Sequence, residues 1–248
     1  MSGHSKWNNI KGRKSKQDAI RGRFFTRVSK EIILAVKEGG PDPEANLALK
    51  NAINRAKAVN MPNDNIRKVI EKYSGGEGEN FEEIYYEGYG PGGVAVLVKA
   101  ATDNRNRTSA SLRHLFSKYG GNMGETGCVS WMFENKGVIT LPESSISEDE
   151  LLETVLDAGG EDLNASDGIY EIYTDPLSLH LVKEVLDDKG IKTDTANIIM
   201  VPKNTVELND EARATKVLKL MEALEEDDDV QDVFSNFDIP SEMMEKIA

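Results

Sequence analysis

The sequence is poor in the residues from which metal and thiol sites are built. Its 248 residues include one cysteine and three histidines. A single cysteine, Cys128, cannot close a disulfide within the chain or supply a cysteine-based zinc site. The histidines are far apart in sequence, and no two of them stand at the spacing of metal ligands; they are His4, His114 and His180. We therefore expect neither a metal nor a cofactor.

Long apolar runs are also missing. No stretch approaches the roughly 18 apolar residues that a membrane span requires, and the first seven residues lack the apolar segment of a secretory signal. Hydrophobic residues still make up 39% of the chain, which is enough to bury a core. At roughly 100–200 residues per domain, we expect a cytoplasmic protein of two or three domains with no membrane partner.

Patterns typical of catalysis are absent as well. The glycine-rich stretch Gly88–Gly93 precedes a strand and lacks the lysine of a phosphate-binding loop, so we interpret it as a tight turn. The acidic run Glu225–Asp229 lacks the alternating ligands and central glycine of a calcium loop, and we interpret it as a solvated helix exit. No nucleophile and base are paired in the local sequence. We expect no enzyme and no catalytic residue.

Charge, by contrast, is abundant, and its two signs are separated along the chain. Residues 1–72 hold 16 Lys and Arg against 7 Asp and Glu, whereas residues 73–248 hold 14 against 36. A basic third joined to an acidic remainder indicates a polyanion that binds at one end. The cations expected to contact its phosphates are Lys6, Lys11, Arg13, Lys14, Lys16, Arg21, Arg23, Arg27 and Lys30.

The basic third is predicted to contain three helices behind a mobile arm. In the first helix, one face is apolar and the opposite face is basic. The apolar face holds Phe24, Phe25, Val28, Ile32, Ala35 and Val36, and the basic face holds Arg23, Arg27, Lys30 and Lys37. Asp42 and Pro43 predict the start of a second helix that ends near Val59, and a third helix follows Pro62. In the arm, Trp7 either stacks on a base or docks on the helices.

The acidic remainder alternates strands with helices. Strands at 137–141, 161–165, 169–173 and 191–201 around two helices predict the order βαββαβ, a ferredoxin-like sandwich. The fold class is therefore α+β, with an N-terminal three-helix module and two ferredoxin-like α/β sandwich domains, one inserted in the other. The expected domains are residues 1–77, residues 78–134 with 200–248, and the inserted residues 135–199.

A polar loop with two arginines leaves two interpretations open. Arg105 and Arg107 follow a buried strand and begin a helix, in a region otherwise poor in positive charge. Asp103 or Asn104 could cap that helix while the arginines pair with neighbouring acids. Alternatively, the guanidinium groups form a second contact to a nucleic-acid backbone.

Several motifs resemble those of one known family. Gly3-His4-Ser5-Lys6-Trp7 opens the chain, Tyr86-Glu87-Gly88-Tyr89-Gly90-Pro91-Gly92-Gly93 lies near its middle, and Asp103-Asn104-Arg105-Asn106-Arg107-Thr108 follows. These motifs, in this order, are similar to those of the YebC/PmpR family, and the resemblance runs from about residue 2 to 240. One departure is Gly12, where the family commonly has a histidine.

The resemblance implies a non-enzymatic protein with a helical domain and two α/β domains. Members are usually described as regulators of transcription that bind promoter DNA, which is the function we expect. Mitochondrial relatives resemble translation factors, so a protein associated with ribosomal RNA is an alternative. A protein-interaction scaffold, in which the basic third binds an acidic protein, is another. In each case the acidic α/β body stays free to bind a protein partner.

Overall fold

The computed structural model describes residues 17–75, 80–166 and 168–247. Two compact units emerge from it. One unit comprises residues 131–205, and the other lies on both sides of it in sequence, at 17–130 and 206–247 among the described residues. Helices and antiparallel sheets are both present, which confirms the predicted α+β class. The division into three domains, with boundaries at 77, 134 and 199, stays a prediction.

The N-terminal module consists of α1 (Gln17–Gly39), α2 (Leu47–Ala58) and α3 (Asn63–Ser74). Its core is apolar, as the helical periodicity predicts, and it contains Val28, Ile32, Ala35, Val36, Leu49, Ala52, Ala56, Met61 and Ile66. The prediction that Phe24 faces this core is wrong, since its side chain is exposed. The core that α1 forms with the other two helices begins one residue later, at Phe25.

The predicted start of α2 is also wrong. Asn46, and not Asp42, caps the helix: its side-chain oxygen accepts a hydrogen bond from Leu49 N at 3.0 Å. The Asp42 carboxylate instead accepts from Glu44 N within a turn. Both residue types are good N-caps, so the choice between them is made by burial, because Asn46 alone lies between α1 and α2.

The first half of the interrupted unit contains β1 (Glu82–Tyr89), β2 (Ala95–Thr102), α4 (Arg105–Lys118) and β3 (Asn122–Met123). A short 3-10 turn, Pro91–Gly93, joins β1 to β2, and both Gly92 and Gly93 have positive φ. The motif interpreted as a tight turn is therefore a turn. Its Gly88 is needed for another reason, since a Cβ there would lie 2.7 Å from Asn122 O.

A buried carboxylate fixes the loop that leads out of this half. Glu87 on β1 is 3% exposed, and its oxygens accept hydrogen bonds from the backbone N–H groups of Gly127, Val129 and Ser130, each at 2.7 Å. Burial alone would raise the pKa of Glu87, but the three amides hold that pKa below its ordinary value. The carboxylate thus stays charged and anchors the chain just before residue 131.

The unit at 131–205 contains β4 (Phe133–Pro142), α5 (Glu148–Asp157), β5 (Gly160–Ser166), β6 (Ile169–Thr174), α6 (Leu179–Asp188) and β7 (Thr195–Pro202). Its strands are all antiparallel and lie in the order β5-β6-β4-β7. This is the predicted βαββαβ sandwich. The core between sheet and helices includes Ile139, Leu141, Leu151, Val155, Ile172, Val182 and Leu186.

The chain then completes the interrupted unit with β8 (Val206–Glu207), α7 (Glu211–Glu225), β9 (Val230–Ser235), β10 (Phe237–Asp238) and α8 (Ser241–Ile247). Strand β9 pairs with β2, which gives the sheet order β3-β1-β2-β9. The central strands β1 and β2 are joined directly by a turn, whereas the central strands of the other sheet, β4 and β6, are separated by a helix and a strand. The second half brings the acidic run Glu225–Asp229 beside α1.

Candidate nucleic-acid interface

The predicted interface residues fall into two groups. Lys6, Trp7, Lys11, Arg13, Lys14 and Lys16 lie outside the described residues, and Arg21 belongs to α1 but its side chain is outside them too. The second group, Arg23, Arg27 and Lys30, lies on α1 at the helical spacing that the sequence predicts. All three contact the segment Glu225–Asp229, which we call the acidic turn.

The contacts between α1 and the acidic turn become more buried along the helix. Arg23 Nη1 lies 3.0 Å from Glu226 Oε1, with both side chains about half exposed. One turn later, Arg27 donates a hydrogen bond to the carbonyl oxygen of Glu225. Lys30 Nζ lies 2.9 Å from Asp229 Oδ1 and 2.7 Å from the carbonyl oxygen of Asp228. Carboxylate and carbonyl oxygens of the acidic turn therefore contact the basic face of α1, where the phosphates of a polyanion were expected.

The consequence for Lys30 is a correction. The sequence predicted that Lys30 lies on an open basic face. In the structure Lys30 is only 7% exposed, so its ammonium group is not available on such a face. A buried ammonium requires a paired anion, and Asp229 supplies it. Burial lowers the pKa of Arg27 from its ordinary value, although Asp232 and Asp228 oppose that effect. Among Arg23, Arg27 and Lys30, Arg23 is the most open to solvent.

Asp229 joins more than α1. Its carboxylate accepts hydrogen bonds from Thr108 Oγ1 at 2.6 Å and from Arg107 Nη2 at 2.9 Å. Burial would raise the pKa of Asp229, but these donors and Lys30 together keep that pKa below its ordinary value. Asp229 is one of five consecutive acids, and nothing in the local sequence shows which of them is buried.

The two arginines of the polar loop are paired within the protein. Arg105 binds the Glu82 carboxylate with two nitrogens. Arg107 lies between Asp103, at 2.7 Å, and Asp229. Asn104 caps α4 by accepting from Arg107 N at 3.1 Å. This geometry matches the first of the two interpretations, in which the loop caps the helix and the arginines pair with neighbouring acids.

Helix α2 has an exposed basic face that the sequence analysis did not single out. Lys50, Asn51, Asn54, Arg55 and Lys57 are all exposed. A signal was available, because the twelve residues of α2 contain three cations and no acid within a chain of net charge −13. The apolar periodicity of α2 predicts only its buried side.

The part of the chain that the structure describes brings together no group of three or more His, Cys, Asp or Glu side chains that could hold a metal ion. Within residues 17–75, 80–166 and 168–247, no helix combines the length and the apolar character needed to cross a bilayer.

Comparison with known proteins gives matches along nearly the whole chain. A model of the TACO1/YebC N-terminal domain matches residues 5–76, and a model of the TACO1/YebC second and third domain matches residues 81–237. A probable transcriptional regulatory protein of Sulfurihydrogenibium sp. is 53% identical over 100% of this chain and 99% of its own length. Another, of Syntrophus aciditrophicus, is 53% identical over 100% of both. The crystal structure of a conserved hypothetical protein from Aquifex aeolicus is 52% identical, has a TM-score of 0.83, and covers 92% of this chain and 94% of that one.

Proposed function

Because the chain belongs to the TACO1/YebC family, we propose that it regulates transcription by binding duplex DNA through its basic N-terminal segment. Its relatives are named probable transcriptional regulatory proteins. The observation that carries the proposal is the charge of residues 1–16, which contain five Lys and Arg and no Asp or Glu in a chain of net charge −13. A cluster of this kind neutralises phosphates, which dominate the affinity of proteins for DNA.

The phosphate contacts are assigned to the cations that precede the paired part of α1. These are Lys6, Lys11, Arg13, Lys14, Lys16 and Arg21. Arg27 and Lys30 are committed to the acidic turn, and Arg105 and Arg107 to other carboxylates. Trp7 adds an aromatic face that can stack on a base only where that base is unpaired. The acidic remainder of the chain repels the same polyanion, so DNA binds at the N-terminal end.

The test is the salt dependence of DNA binding. The variant Arg13→Ala/Lys14→Ala/Lys16→Ala removes three proposed phosphate contacts. The control Lys192→Ala/Lys216→Ala/Lys219→Ala removes three exposed lysines elsewhere in the chain. Affinity for a 30-base-pair duplex of mixed sequence is measured by fluorescence anisotropy between 50 and 200 mM KCl. Each lost contact should reduce the slope of log affinity against log salt by about 0.9.

The expected result is a slope that is shallower by about 2 to 3 for the N-terminal variant and nearly unchanged for the control. Equal slopes for both variants would contradict the assignment to the N-terminal segment. A ribosomal RNA hairpin serves as the second probe in the same titration. If the hairpin binds much more tightly than the duplex at every salt concentration, the protein acts on RNA, as the translation-factor alternative requires. If neither probe binds, the scaffold alternative replaces both. That the chain is not an enzyme stays a prediction.

A further inference from the structure

The exposed side of α2 combines charge with amide side chains. At 100° per residue, Leu47, Asn51, Asn54 and Ala58 lie along the middle of this side. Lys50 and Lys57 flank them on one edge, and Arg55 lies at the other edge. The opposite side of the helix is its buried side, where Leu49, Ala52 and Ala56 are 0–2% exposed. The outer face of α2 thus has a polar centre between two cationic edges.

The side chains of this face are available for binding. Within the described residues, no hydrogen bond or ion pair engages the side chains of Asn51, Asn54 or Lys57. Lys50 pairs with Glu44 at 3.3 Å and Arg55 with Glu31 at 3.1 Å. Both side chains of the Lys50–Glu44 pair are exposed, and such a pair contributes little energy, so a phosphate can replace Glu44. Arg55 is half exposed but Glu31 is only 24% exposed, so a phosphate would bind the open side of the guanidinium group while this pair stays in place.

Helices α3 and α5 lack this combination. Helix α3 contains acids, and its Arg67 pairs with Asp64 and Glu71. Helix α5 has five acids and no cation. Leu47 is 67% exposed at the start of α2. Ala58, at the far end of the same stripe, leaves room for a close approach.

We propose that the outer face of α2 contacts base edges in the major groove of duplex DNA. The major groove, about 12 Å wide, admits an α-helix. Asn51 and Asn54 would bind adenine, since an asparagine amide pairs with adenine N6 and N7, and Leu47 would contact a thymine methyl. Lys50, Arg55 and Lys57 would contact the phosphates on the two edges of the groove. This inference rests on the proposed function and adds to it the residues that read sequence.

The test compares sequence preference with overall affinity. The intact chain is first used to select duplexes from a pool of 20-base-pair DNA with a randomised centre. Affinities of the wild type, Asn51→Ala/Asn54→Ala and Lys57→Ala are then measured for the selected duplex and for a scrambled duplex of the same composition. The control is Asn164→Ala/Asn197→Ala, which removes two exposed asparagines from strands β5 and β7.

The double asparagine variant should lose roughly tenfold or more of the preference for the selected duplex, with an unchanged salt slope. Lys57→Ala should keep the preference and lose about 0.9 of the slope. If the wild type binds duplexes without preference, or if Asn51→Ala/Asn54→Ala keeps the wild-type preference, α2 does not read bases, although DNA binding stands. If the wild type binds no duplex at 50 mM KCl, the proposed function fails and this inference fails with it.

Discussion

Asp229 shows how one side chain joins three segments that are distant in sequence. Its carboxylate pairs with Lys30 of α1 and accepts hydrogen bonds from Thr108 and Arg107 of α4. Asp229 itself lies between α7 and β9. Removing one partner of a buried ion pair leaves the other charge without compensation, which is costly even where the pair as a whole contributes little. The attachment of α1 to the acidic turn therefore depends on this carboxylate more than on the exposed pair Arg23–Glu226.

The first stability prediction concerns Asp229→Asn. The variant should lower the free energy of unfolding at pH 7 by about 3 kcal/mol, because Lys30 stays buried without an anion. The pKa of Asp229 is below its ordinary value in the folded state. Its contribution is therefore present above the pKa of the unfolded carboxyl and is lost as the pH falls through the folded pKa. Urea unfolding at several pH values should show the difference from wild type shrinking in acid.

The matched control for Asp229 is Glu226→Gln in the same acidic turn. It removes a pair in which both side chains are about half exposed, and should cost less than about 1 kcal/mol. Similar losses for the two variants would show that burial of the Lys30–Asp229 pair does not matter.

At the scale of elements, α1 and α2 are held together by Asn46. Besides capping α2, its side-chain amide donates hydrogen bonds to the carbonyl oxygens of Ala35, at 2.7 Å, and Gly40, at 2.8 Å. The residue is 6% exposed. One side chain thus caps the start of α2 and binds it to the last turn of α1 and the residue that follows. The orientation of the outer face of α2 depends on this link.

The second stability prediction is that Asn46→Ala costs about 2–3 kcal/mol, since it removes a cap and two hydrogen bonds from the side-chain amide to the carbonyl oxygens of Ala35 and Gly40. Asn46→Ser should cost less, because serine keeps the capping acceptor. The control is Asn104→Ala, which removes only the exposed cap of α4 and should cost about 1 kcal/mol. These values are measured by urea unfolding. Equal losses at positions 46 and 104 would mean that the link to α1 contributes nothing.

At the scale of the whole molecule, the unit at 131–205 has its two ends side by side. Phe133 pairs with Pro202 in the sheet, and Lys203 N donates to Met132 O at 2.8 Å. The core of this unit is formed from its own strands and helices. A segment with adjacent ends and its own core has the features of a unit that folds independently.

The third stability prediction is that a polypeptide of residues 131–205 folds by itself. It should give a cooperative urea transition and a mixed α/β circular dichroism spectrum, with a stability of a few kcal/mol, as is usual at this size. A polypeptide of residues 80–130 is the comparison. It should stay unfolded, because β2 lacks its partner β9 and α4 lacks α7. Folding of the second polypeptide, or a lack of structure in the first, would contradict the independence of the unit.

Local pattern predicted much of the architecture. The alternation of apolar runs with glycine-terminated helices predicts the βαββαβ order of 131–205, because each strand and helix is specified by its own periodicity. Periodicity also places Val28 and Ile32 on the apolar face of α1. It fails at Phe24, which lies just beyond the end of the core, and at the start of α2, where Asp42 and Asn46, four residues apart, are both good capping residues.

The sequence by itself determined the charge separation and the faces of the helices, since both depend only on composition and on the helical repeat. The tertiary structure alone decided which cations are open. Lys30 and Asp229 are 199 residues apart, and Arg23 and Glu226 are 203 apart. No local pattern contains such a pair, because it forms only when the chain returns after a whole intervening unit and places the acidic turn on α1.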